Sequence, residues 1–91
     1  MCTMIAQQIA INGSGKGLAG WFDVRQANVS YDHQLSVPFE HALNIDFVNE
    51  AKGPGARVAV ELSAESARAL VETILAVLDR AEAGGFVDKP A

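Results

Sequence analysis

The chain has 91 residues, a formal net charge of −4 from seven Lys and Arg against eleven Asp and Glu, and a 49% apolar fraction. That describes one domain, near the smallest size at which a single core holds a chain together, and it excludes disordered and fibrous classes. The basic footprint that neutralises phosphates is missing, which argues against nucleic acid and anionic membranes, and no apolar run approaches the roughly 20 residues of a bilayer span.

At the start, Met1-Cys2-Thr3-Met4-Ile5 has no cationic region before an apolar stretch, so no signal peptide is expected. The single cysteine makes no internal disulfide, which fits a reducing cytoplasm. Residues 3–12 predict a first strand, with Ile5, Ile9 and Ile11 on one parity and Gln7 as the odd member. Asn12 to Gly20 then holds four glycines in nine residues and reads as a loop. Glycine N–H groups in such a loop can nest an anion, but the P-loop spacing is absent because Leu18 follows Gly17. The Rossmann spacing lacks its βαβ context, so a hairpin loop is the expectation.

A second strand is predicted from Trp21 to His33, with Ala27, Val29, Tyr31 and His33 on one face. Phe22 and Val24 have the opposite parity, and a bulge near Arg25-Gln26 reconciles the two halves. Gln34 to Glu40 is a loop in which Pro38 cannot donate to a ladder. The third strand, His41 to Asn49, alternates His41, Leu43, Ile45 and Phe47 against Ala42, Asn44 and Asp46. Setting His33 opposite His41 pairs Tyr31 with Leu43, Val29 with Ile45 and Ala27 with Phe47, which keeps every partner on the apolar face.

A turn-rich connection, Asn49 to Gly55, leads to a short fourth strand, Arg57 to Leu62, with Val58, Val60 and Leu62 inward. Ser63 is an N-cap type, and Glu65 suits the helix dipole. Ala67, Leu70, Val71, Ile74, Leu75, Val77, Leu78 and Ala81 then fall on an arc of about 160°. Gly84-Gly85 ends the helix. The expected architecture is α+β: a four-stranded antiparallel meander sheet with one C-terminal helix packed on its apolar face, ββββα. Residues 1–83 form the domain and 84–91 a flexible C-terminal tail.

The two histidines are the first candidates for chemistry. Directly opposed residues on a sheet bring their β-carbons to about 5 Å, a spacing at which two imidazoles can share one Zn, Cu, Ni or Fe ion. Asp32 or Glu40 would serve as a third ligand or as a partner to an imidazole, and Cys2 would add a thiolate if the first strand reaches the same end. The small side chain of Cys2 also favours removal of Met1, which would leave an amine beside the thiol. The competing reading is two packed histidines satisfied by Tyr31, carbonyls or water. Acid–base and nucleophile sets are poor: no GxSxG elbow accompanies Ser30 or Ser36. The aromatics Trp21, Phe22, Phe39 and Phe47 are too scattered for a stacking platform. A single sheet with one helix leaves edges open, so a homodimer is expected.

Met1-Cys2-Thr3, the Gly13-Ser14-Gly15-Lys16-Gly17 loop with Gly20-Trp21-Phe22-Asp23, Asp32-His33, Glu40-His41 with Leu43-Asn44-Ile45-Asp46-Phe47, and Arg57 to Leu62 carry a resemblance. The chain resembles a family of small, mainly actinobacterial proteins of unknown function. The resemblance implies no activity, only that Cys2, His33, Glu40 and His41 belong to the recurring text of that family. Taken with the residues, it leaves a cytoplasmic binding protein with a metal or small-ligand site at His33 and His41. The alternative is a protein-interaction module or accessory subunit of a larger enzyme, and a small His-dependent enzyme ranks third.

Overall fold

Side-chain alternation sets four strands and the switch to a helical period sets one helix, and the computed structural model, which describes residues 5–33, 40–86 and 88, has that order. Strands β1 (Ile5–Gly17), β2 (Gly20–His33), β3 (His41–Val48) and β4 (Arg57–Leu62) form one antiparallel sheet in sequence order. A 3-10 turn over Glu50–Lys52 lies between β3 and β4, and helix α1 spans Ala64–Ala83. The fold is therefore α+β, ββββα. The loop expected over Gln34 to Glu40, except Glu40 itself, lies outside the described residues, as do Cys2 and most of the end of the tail.

The register of β2 on β3 follows from keeping apolar partners together. His33 pairs with His41, Tyr31 with Leu43, Val29 with Ile45 and Ala27 with Phe47. On the far side of β3, Leu43 faces Leu62, Ile45 faces Val60 and Phe47 faces Val58. Strand β1 adds Ile5 against Tyr31 and Ile9 against Ala27. One face thus carries a continuous apolar row across four strands. The other carries Ser30, Asp32, Asn44, Asp46 and Glu61, with Arg57 donating to Asp46 Oδ1 at 2.8 and 3.1 Å.

The glycine-rich stretch corrects the expectation of a loop. Strand β1 runs through it to Gly17, and only Leu18 and Ala19 separate β1 from β2. Gly20 follows this tight turn at φ +116°, a conformation that side chains rarely adopt. Gly15 and Gly17 mark a close approach. A β-carbon at position 15 would lie 3.1 Å from Val24 Cγ2 and 3.5 Å from Val58 Cγ2, and one at position 17 would lie 3.5 Å from the Gly55 carbonyl. The sheet curls so that the end of β1 meets the β3–β4 side, and missing side chains make that contact possible. The register shift that permits the curl sits between Ala10 and Gly13, opposite Val24–Gln26. The parity of β2 predicts a bulge in that strand near Arg25-Gln26; the register shift lies opposite that point, but the extra residue is on β1.

Asn49 ties this curled end together. It is buried, its side-chain amide donates to the Asp23 carbonyl at 2.9 Å, and its Oδ1 accepts from the Ala51 amide at 3.2 Å. Its own amide donates to the Ala56 carbonyl at 3.1 Å, closing the connection to β4. Val24, Ala27 and Ala56 are buried there or close by, while Ala42 is buried at the start of β3.

Helix α1 begins one residue after β4. Ser63 accepts from the Ser66 amide at 3.1 Å, a side-chain cap on the first turn. At the other end, Phe86 donates to the Ala81 carbonyl and Gly85, at φ +77°, donates to that of Glu82, the bond pattern of a Schellman termination. Between these ends the helix runs away from the sheet. Its first turn sits beside Tyr31 and Leu43, where Ala64, Ala67 and Arg68 face them. The rest of its apolar arc is exposed, from 43% at Leu70 to 60% at Val77. Packing of the helix on the apolar face is thus limited to its first turn.

Candidate functional site

Two of the groups expected to carry chemistry, His33 and His41, occupy paired positions at one end of β2 and β3. The His41 ring lies nearly parallel to that of Tyr31, with centroids 5.8 Å apart and planes 17° from coplanar. This is a diagonal cross-strand contact, since Tyr31 pairs directly with Leu43. It fixes His41 on the apolar face. Glu40 is exposed immediately before β3. Asp32 pairs with Ala42 and lines a hollow of the polar face with Ser30, Asn44 and Asp46, so it stands across the sheet from His41. Cys2 lies outside the described residues. Among the described residues, no three His, Cys, Asp or Glu side chains are grouped closely enough to hold a metal ion.

The larger feature at this end is apolar. A hollow of about 320 Å³ lies over β1 and β2, lined by Ile5, Ile9, Val29, Tyr31 and Leu43 together with Gln7, Gln8 and Ser30. A second, of about 440 Å³, lies between Tyr31 and Leu43 and the first turn of α1. Because they share Tyr31 and Leu43, the two form one trough. Ile5 and Ile9, on its β1 side, are 63% and 59% exposed. Single exposed apolar side chains are ordinary, but a contiguous set beside an exposed helical arc is the mark of a contact surface.

Tyr31 and Leu43 were legible as members of the apolar face, through strand parity. What sequence reasoning missed is that nothing in the same chain, among the described residues, covers them beyond the first turn of α1. Only one residue, Ser63, lies between β4 and α1, and apolar spacing alone carries no signal for the direction of the helix after it.

A small single-sheet α+β protein with an uncovered apolar face is the class that fold and site define. The chain belongs to a family of unknown function (DUF6295), whose family model matches residues 1–87. No curated protein and no solved structure matches the chain. No described helix is long and apolar enough to cross a membrane.

Proposed function

We propose that this protein is a small protein-interaction module that works through its apolar face, in the cytoplasm, as a partner or accessory subunit and not as a catalyst. The observation that carries this reading is the exposure of the α1 arc: Leu70, Val71, Ile74, Leu75, Val77 and Leu78 are each at least 43% exposed. Burying apolar surface stabilises by about 25 cal/mol per Å², so a helix of this composition left in water forgoes most of what makes it amphipathic. A partner surface supplies that burial. Native mass spectrometry of the untagged protein from its host tests the reading. The wild-type chain is expected in a multi-chain complex, and the Ile74→Glu chain is expected alone. Recovery of the wild type as a single chain at working concentration would overturn it.

A second reading is favoured by the paired positions of His33 and His41. Two imidazoles at such positions suit a Zn, Cu, Ni or Fe ion, with Glu40 and Cys2 as further ligands and Asp32 less favoured because of its face. Metal analysis of protein purified without a histidine tag is the test. A stoichiometric metal that disappears with His33→Ala and His41→Ala supports this reading. A metal-free protein with no thermal shift on adding any of the four ions would sink it.

A further inference from the structure

We infer that the occupant of the apolar trough is α1 of a second copy of this chain, in a reciprocal two-fold dimer. The inference rests on the reading of that face as a docking surface and names what docks there. A folded monomer of 9.6 kDa exposes about 5,100 Å² by the usual scaling of surface with mass. This chain exposes 7351 Å². The chain thus leaves more surface uncovered than a compact monomer does, with the arc of α1 and Ile5 and Ile9 among its exposed apolar residues, and a standard complex needs roughly 800 Å² per partner. The radius of gyration agrees: 15.1 Å, against about 12 Å for a compact chain of this length.

A second copy fits better than a different protein because the two surfaces are complementary to each other. The sheet offers an apolar face that needs a helix, and α1 offers an apolar arc that needs a sheet. One chain carries both. A two-fold axis satisfies both faces at once, since each copy gives its helix and receives the other, which is the self-complementary pattern of an isologous interface.

The connection between β4 and α1 is short, and α1 leaves its own sheet after the first turn. Only Ser63 separates Leu62 of β4 from Ala64 of α1, and it holds an extended conformation with φ −66° and ψ 156° while capping the helix. With the whole connection in that one residue, the backbone at Ser63 sets the direction that α1 takes from β4. Lengths agree as well. The 20 residues of α1 span about 30 Å, and the 14 residues of β2 about 46 Å, so the helix fits within the sheet it would cover.

The test combines mass with cross-linking in a Cys2→Ser background. Light scattering on the full chain should give twice the 9.6 kDa chain mass. Ile74→Glu should raise the dissociation constant about 30-fold or more, as loss of a central apolar anchor does. Mixing an Ile9→Cys chain with an Ile74→Cys chain under mild oxidation should yield the mixed disulfide in preference to either like pair. This arm needs no disruptive substitution. A dimer that cross-links only Ile9→Cys to itself, or only Ile74→Cys to itself, would overturn the inference while leaving the docking face intact. A wild-type chain that is monomeric when pure, yet loses a host protein on Ile74→Glu, would also overturn it and would leave the interaction-module reading standing. A monomer indifferent to Ile74→Glu would sink both.

Discussion

Tyr31 and His41 stack face to face across two strands, 5.8 Å between ring centroids, although each pairs directly with another residue. The contact joins the histidine end of the hairpin to the apolar trough, because Tyr31 lines both of its hollows. Replacing Tyr31 by Leu keeps an apolar side chain and removes the ring. Stability should fall by about 0.2–1 kcal/mol, the range of a cross-strand pair. The ring protons of His41 should move downfield in the NMR spectrum as the ring current of the tyrosine is lost. Unchanged His41 resonances would show that the stack is not populated in solution.

Asn49 holds the curled end of the sheet through its side chain. Asn49→Ala removes the donor to the Asp23 carbonyl and the acceptor for the Ala51 amide, two bonds in a buried setting. A loss of about 1–3 kcal/mol is expected, since a buried partner left unsatisfied costs its desolvation. Urea denaturation should show a lower midpoint with an unchanged slope.

The glycines of β1 should separate into two kinds. Gly15→Val places methyl groups against Val24, itself buried, where a β-carbon alone already comes within 3.1 Å of Cγ2, and overpacking of this sort costs about 1–3 kcal/mol. A β-carbon at position 13 would meet nothing within 4 Å, and Gly13 has no positive φ. Gly13→Ala should therefore be neutral or stabilise by about 0.4–1 kcal/mol through the unfolded chain. Thermal denaturation of the two variants side by side gives the comparison, and equal effects would contradict the close approach of β1 to Val24 and Val58.

The ion pair of the polar face is expected to matter little. Arg57 and Asp46 meet at 2.8 Å, but their side chains remain 53% and 30% exposed. Arg57→Ala should cost about 0.2–1 kcal/mol. That cost should shrink in high salt, which a denaturation series at two ionic strengths would reveal.

Periodicity made the elements legible because it is local. Alternation over Ala27–His33 and His41–Phe47 determined the faces of β2 and β3, and matching those faces left one sensible register, the one observed. Ser63 and the apolar spacing that follows it marked the start of α1 for the same reason. Gly13 to Gly17 misled because glycine disfavours a strand by its own propensity, whereas here Val58 and Gly55, a distant part of the sheet, come close to Gly15 and Gly17. The candidate site divides in the same way. That His33 and His41 are paired follows from the sequence by itself, and that Asp32 faces the other side follows from one step of alternation. Only the tertiary structure decided that α1 leaves the sheet after its first turn and that Tyr31 and Leu43 line an open trough. The direction of a helix after a single connecting residue depends on the backbone at Ser63, which a pattern of apolar residues does not encode.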